Sequence, residues 1–200
     1  MTVRTIAGAK VTVDSLKRAA GTFPTGVVIV AANTADGPAG LTLQSFVSLS
    51  LDPPLVHLSV SSTSGSWQAI KSASGFAVSV LAEDQADLAL NFGKRNSDKF
   101  AGMKLTREST SKHPKIEGAV AWFDCVIVAV YPGGDHDIVV ASVLNAEMPE
   151  ASREPLVFHR SGFWRIEPAV GAAVGARGDH GSCPQKRVGQ RKDPWGKEHR

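Results

Sequence analysis

Two hundred residues with 42% apolar side chains suffice for one folded domain, or for one domain and a tail. No apolar run approaches the roughly 18 residues needed to cross a bilayer. The N-terminal MTVRTIAGAKVTVDSLKRAA also lacks an apolar signal core, so a cytoplasmic protein is expected. The net charge of +3 is uneven: residues 177–200 hold 7 Lys or Arg against 3 Asp or Glu, leaving 15 and 16 for residues 1–176. The body is near neutral, which excludes a domain-wide nucleic-acid footprint. Of the two cysteines, Cys125 sits in AWFDCVIVAV and reads as a small buried hydrophobe, while Cys183 lies in the tail. Neither forms a C-x-x-C pair, so no zinc signature or disulfide framework is expected.

In chain order, DSLKRAAGTF reads as a short helix capped by Asp14 and ending near Gly21. TGVVIVAA (25–32) is β-branched, a strand, and NTADGPAG (33–40) is turn chemistry. Residues 40–51 read as one strand. Its odd positions are Leu41, Leu43, Ser45, Val47, Leu49 and Leu51, nearly all apolar; its even positions are Thr42, Gln44, Phe46, Ser48 and Ser50, nearly all polar. A solvated face and a binding-site wall both fit this alternation. Asp52-Pro53-Pro54 interrupts the ladder, because proline lacks the N–H, and LVHLSV (55–60) resumes it.

SSTSGSWQAIKSASG predicts a short helix stopped by Gly75, and FAVSVL (76–81) a strand. EDQADLALNFG places acids in a first turn and Leu88, Ala89 and Phe92 on one face, a helix ended by Gly93. SDKFAGM adds a turn capped by Ser97, and residues 105–118 show no period. AVAWFDCVIVAVY (119–131) and IVVASVLNAEM (138–148) are long strands around the turn PGGDHD. PLVFHRSGFWRIEP gives two short strands around a Ser-Gly turn, and the chain from Gly171 onward is a basic tail expected to be disordered. Many short strands with few helices argue for an antiparallel barrel or sandwich rather than a doubly wound sheet.

Neither G-x-G-x-x-G at a strand–helix turn, nor a Walker loop, nor G-x-S-x-G occurs. H-x-x-x-H metal spacing is absent, and Asp135, His136 and a serine as a triad would be coincidence in so serine-rich a chain. What remains is the hydroxyl-rich stretch 42–50 and the cluster SVSSTSGSW (59–67). Five Ser or Thr among residues 59–64 exceed the needs of one helix cap. Free N–H groups and hydroxyls at a helix entry can hold a phosphate without a Walker loop. The two clusters together suggest a ligand with a polar ring edge and a phosphate tail.

FPTGVVIVAA, GLTLQSFVSLSLDPPLV, SSTSGSWQAI, FAVSVLAEDQADLALNFG, DKFAG, GDH and PLVFHRSGFW occur in this order over residues 14–166. The ordered set resembles the flavin reductase domain family, the reductase components of two-component flavin-dependent monooxygenases. The resemblance implies a mostly β, antiparallel FMN-binding split β-barrel of Greek-key type with a few short helices. It divides the chain into an N-terminal segment 1–13, a reductase-like domain 14–168 and a basic tail 169–200.

It further implies NADH- or NADPH-dependent reduction of FMN or FAD in a cytoplasmic homodimer that passes reduced flavin to a partner monooxygenase. No metal, nucleic acid or membrane is involved. Carried over by position, Thr25 and Gly26 lie close to the flavin. Thr42, Leu43, Gln44 and Ser45 meet the ring edge, with Ser48 and Ser50 beside it. Ser62, Thr63 and Ser64 lie near the phosphate, and Phe92 and Lys99 line the site. His136 of GDH faces the nicotinamide. Hydride transfer between stacked rings needs no catalytic side chain. Phe163 and Trp164 fit either a site wall or the core.

The chain departs from the family in three places, one of them the tail after Pro168, which matches no part of the family. Ser61-Ser62-Thr63-Ser64-Gly65 lacks the cation often found there, which leaves phosphate charge to N–H groups, hydroxyls or a distant base such as Lys94, Arg95 or Lys99. Gln44 also replaces a frequent Asn or Thr-like residue. The alternatives are a flavin-binding protein without turnover and a related pyridoxamine-phosphate-oxidase-like enzyme.

Overall fold

The computed structural model describes residues 11–73, 75–95, 98–103, 105, 112–148 and 153–166. Residues 1–10, Ser97 and the expected tail 169–200 with Cys183 lie outside the described residues. The elements in order are α1 (Val13–Ala20), β1 (Thr25–Gly26), β2 (Val28–Thr34), β3 (Gly37–Leu43), β4 (Val47–Leu51), β5 (Pro54–Ser61), α2 (Gly65–Ser72), β6 (Gly75–Val80), α3 (Ala86–Gly93), β7 (Ala121–Gly133), β8 (His136–Glu147), β9 (Val157–His159) and β10 (Gly162–Trp164).

Seven strands form one antiparallel sheet in the order β3-β2-β6-β7-β8-β5-β4, and β1-β9-β10 form a second. The two edges of the large sheet, β3 and β4, are consecutive in the chain and joined only by Gln44, Ser45 and Phe46. So short a link between opposite edges requires the sheet to curl back on itself, as a barrel does. Ser45 stitches this seam: its hydroxyl donates to the Ser59 carbonyl at 2.7 Å and accepts from the Ser59 N–H at 3.0 Å.

The barrel interior holds Val28, Val30, Leu41, Val56, Leu58, Val60, Phe76, Val78, Cys125, Val139 and Ala141. Trp67 and Ile70 of α2 join that cluster. The opposite face of β2 and the preceding Val27 are also covered, since Val27, Ile29 and Ala31 pack with Ala89 and Phe92 of α3, Leu81, Ile116 and Leu156. That explains why 27–32 reads as an unbroken apolar run: both faces are buried. Burial pushes the Cys125 thiol up to about 12, as befits an inert core cysteine.

Local chemistry shifts several expected boundaries. Thr12, not Asp14, caps α1: its hydroxyl accepts from the Ser15 N–H at 3.1 Å while Ser15 Oγ accepts from the Thr12 N–H at 3.0 Å. Asp14 instead lies in the first turn. The expected strand 25–32 is divided at Val27 between the two sheets. The expected turn 33–40 contracts to Ala35-Asp36, and Pro38 sits in edge strand β3, where no ladder N–H is needed.

The helix α2 ends at Ser72 with Ala73 as its C-cap, not at Gly75, which opens β6; a Cβ on Gly75 would lie 3.0 Å from the Cys125 carbonyl oxygen. In the expected turn after α3, the Asp98 carboxylate accepts from the N–H groups of Phe100 and Ala101. The last hairpin turns on Arg160-Ser161, both at positive φ, rather than on Ser-Gly.

The largest departure concerns the single strand expected over 40–51. The bend at Gln44–Phe46 splits it and reverses its faces. Leu41 and Leu43 point into the barrel core, and so does Phe46, 5.2 Å from the Phe123 ring. Beyond the bend, Val47, Leu49 and Leu51 are exposed, Leu51 at 90%. A shift of one residue exchanges the two faces of a strand, which is what the bend does.

Candidate active site

A cavity of about 770 Å³ opens between β3, the β5–α2 junction, the end of α3 and the start of β8. Such a volume suits a ligand of cofactor size. Thr63, Ser64, Gly65 and Ser66 form one wall, where the chain leaves β5 and enters α2. Ser64 caps the helix, accepting from the Trp67 N–H at 3.3 Å. The first N–H groups of a helix lack intrahelical partners and carry partial positive charge.

The wall formed by the end of α3 and the following turn brings Phe92, Gly93, Lys94, Arg95, Asp98, Lys99 and Phe100. Lys99 is held in place by all three of its N–H donors: to the Gly40 carbonyl at 3.0 Å, the Phe92 carbonyl at 3.0 Å and Ser66 Oγ at 3.2 Å. Burial holds its ammonium below the ordinary lysine range. Among the described residues no carboxylate lies within ion-pair distance of Lys94, Arg95 or Lys99. Asp98 is engaged by its own turn. The site therefore presents uncompensated positive charge beside a helix entry, an arrangement suited to a phosphate.

Gly40 makes this packing feasible. A Cβ there would meet Phe92 Cε1 at 2.7 Å and Phe100 Cζ at 3.1 Å. The two rings stack edge to face, with centroids 5.0 Å apart, directly against the β3 backbone.

The structure brings together half of the expected residues. Thr42, Leu43, Thr63, Ser64, Phe92, Lys99 and His136 line the cavity. The hydroxyl of Thr42 is engaged by the Ala89 carbonyl at 2.7 Å, so it ties β3 to α3. Thr25, Gly26, Gln44, Ser45, Ser48, Ser50 and Ser62 do not line it. Thr25 Oγ1 donates to Gln44 Oε1 at 3.5 Å, immediately beyond Leu43. Ser45 is the seam residue, Ser48 and Ser50 lie on β4, and the Ser62 hydroxyl donates to the Asp135 carbonyl at 3.0 Å.

Phe163 packs on Phe158 in the core, and Trp164, mostly exposed, donates to the His159 carbonyl; neither walls the cavity. Sequence reasoning missed Gly40, Ser66 and Phe100. The signal for Ser66 was present, because it lies within the same serine cluster.

His136 opens β8, with its Nδ1 2.7 Å from Asp135 Oδ1. That contact holds the Asp135 carboxyl below its usual range.

The flavin reductase like domain family matches residues 20–167. The reductase subunit HsaB of a flavin-dependent monooxygenase from Mycobacterium tuberculosis is 42% identical over 149 residues, covering 74% of this chain and 79% of the relative. The FMN reductase (NADH) SmoA of Agrobacterium fabrum is 39% identical over 154 residues, covering 76% and 85%. Among solved structures, the NADH:FAD oxidoreductase SgcE6 of Streptomyces globisporus C-1027, in complex with NAD and FAD fragments, superposes with a TM-score of 0.73 at 36% identity, covering 78% of this chain and 94% of the other. By match length, sequence identity and barrel architecture alike, the chain belongs to the flavin reductase like domain family.

Proposed function

We propose that the chain transfers hydride from NADH to FMN or FAD and delivers reduced flavin to a partner monooxygenase. The observation that carries this reading is the convergence of the Thr63–Ser66 helix entry with Lys94, Arg95 and Lys99 on one cavity that also contains His136. Family membership supports the reaction.

Flavin, when bound, supplies the hydride acceptor. The chain supplies placement. Thr63, Ser64 and the N–H groups of Gly65 and Ser66 would hold the phosphate. Lys94 and Arg95 would donate to it, while Lys99, with its donors engaged, contributes charge. Leu43, with Thr42 and the adjoining Gln44 and Thr25, forms the edge against which the ring would lie. Phe92 and Phe100 exclude water beside it. His136 would orient the nicotinamide. Holding two reactants in contact is the main source of rate when neither requires a protein nucleophile.

The family's homodimer also fits the surface. Val47, Leu49 and Leu51 of β4, Val126 and Val128 of β7, and Leu144 of β8 are exposed, and these strands lie in the neighbouring run β7-β8-β5-β4. A second copy covering them would remove an apolar area from water. No helix among the described residues is long and apolar enough to cross a membrane. A cytoplasmic setting, where NADH and flavin are available, accords with the reading.

Steady-state oxidation of NADH or NADPH with FMN or FAD tests the proposal. Turnover that requires added flavin is expected; no oxidation with any pairing overturns it. A yellow protein without turnover would indicate a flavin-binding module.

A further inference from the structure

His136 stands at a hairpin turn, ordinarily the loosest part of a hairpin. The 2.7 Å contact from its neighbour is a weak hold, because the Asp135 side chain is 94% exposed. Besides the ladder pairing of His136 with Ser61 and Gly133, two anchors reach the turn. On one side, the Ser62 N–H and hydroxyl both donate to the Asp135 carbonyl, at 3.1 and 3.0 Å. On the other, Asp137 Oδ2 accepts from the Trp67 indole N–H at 2.8 Å and from Lys71 Nζ at 3.2 Å.

Trp67 is fully buried in the barrel cluster, so its indole is an immobile donor. The indole hydrogen bond, aided by Lys71, keeps the Asp137 carboxyl below its usual range. Asp137 itself does not line the cavity, whereas His136 does. The turn is thus clamped to α2, the helix whose entry forms a wall of the site.

We propose that Asp137, anchored by Trp67 and Lys71, is a positioning residue that holds His136 toward the nicotinamide, with Ser62 as the second anchor. This rests on the assignment of His136 made above. It also moves Ser62 from the flavin phosphate to the nicotinamide side.

The test is a double-mutant cycle read by NADH fluorescence titration, by KM and kcat, and by flavin titration. Asp137→Ala should raise the NADH Kd and KM about fivefold, as expected for one lost hydrogen bond, with the flavin Kd unchanged. Asp137→Asn retains an oxygen for Trp67 and should recover most of that loss. In a His136→Ala background, Asp137→Ala should add nothing, because its effect passes through the imidazole. If Asp137→Ala fails to fold, Lys71→Met at an exposed site and Ser62→Ala carry the same cycle with smaller shifts.

Equal losses of NADH and flavin affinity, or an Asp137 effect that multiplies with His136→Ala, would overturn the positioning role. His136→Ala with unchanged NADH Kd and KM, in an enzyme that still reduces flavin, would instead overturn the nicotinamide assignment itself.

Discussion

The two hydroxyl-rich stretches, 42–50 and 59–66, look alike in sequence and differ in structure. In the first, Thr42 binds the Ala89 carbonyl, Ser45 stitches the barrel seam, and Ser48 and Ser50 stand on β4 away from the cavity. In the second, Thr63, Ser64 and Ser66 line the cavity beside a helix entry and three cations. The difference teaches that a run of hydroxyls marks a region where the backbone needs partners. Only the remaining partners of each oxygen decide whether it serves structure or ligand.

The strongest way to break this contrast is at the cations. Charge reversal of both Lys94 and Arg95 to Glu should weaken flavin binding by on the order of 100-fold, since charge-assisted contacts to phosphate are lost and repulsion is added. Flavin fluorescence titration checks it, and a change below about threefold would remove these residues from the phosphate site. Next comes the first stretch: Ser45→Ala removes both hydrogen bonds to Ser59 and should destabilise the fold by about 1–3 kcal/mol. Urea unfolding measures this, and flavin affinity of the folded fraction should stay nearly constant.

Thr63→Ala should show the reverse pattern, about fivefold weaker flavin binding with unchanged unfolding midpoint. A stability loss at Thr63, or a selective binding loss at Ser45, would erase the distinction.

A smaller effect concerns pH. Burial lowers the Lys99 pKa, so its charge disappears below the pH at which an ordinary lysine titrates. The unfolded chain then binds more protons than the folded one between the lowered and ordinary values, so this group's contribution to stability rises with pH over that window. Flavin binding should change in the opposite direction, weakening as pH rises toward about 10. Lys99→Arg should flatten that dependence in a Kd series. The smallest effect is expected from truncation after Glu167: the domain proposed for residues 14–168 should then retain flavin reduction, with stability within about 0.5 kcal/mol. Loss of activity would place part of the tail in the enzyme.

Much of the barrel was legible because β-branched runs, turn residues and proline breaks are local signals. TGVVIVAA and the two strands around PGGDHD needed only their own composition. The reversal at Gln44–Phe46 was not legible, because a bend that joins opposite sheet edges depends on contacts outside its own residues, here those of Ser45 with Ser59. For the site, serine density and the order of motifs pointed to the helix entry and His136. They could not reveal that Lys99 has no donor left, that Gly40 makes room for two rings, or that Ser62 faces a turn rather than a ligand. Each of those depends on partners distant in sequence.

The three-residue link between β3 and β4 also bears on the order in which the molecule assembles. β2–β3, β4–β5 and β7–β8 are hairpins that form from neighbouring residues. The pairing of Leu55–Ser61 with His136–Ser142 must instead close a long loop. Such distant pairings are slow, since chain closure must precede their reward. Until then, the unpaired edges of β5 and β8 are open to other chains. The β5–β8 pairing is therefore expected to acquire hydrogen-exchange protection later than the three hairpins during refolding, and the interval before it forms is the one in which the protein is most exposed to aggregation.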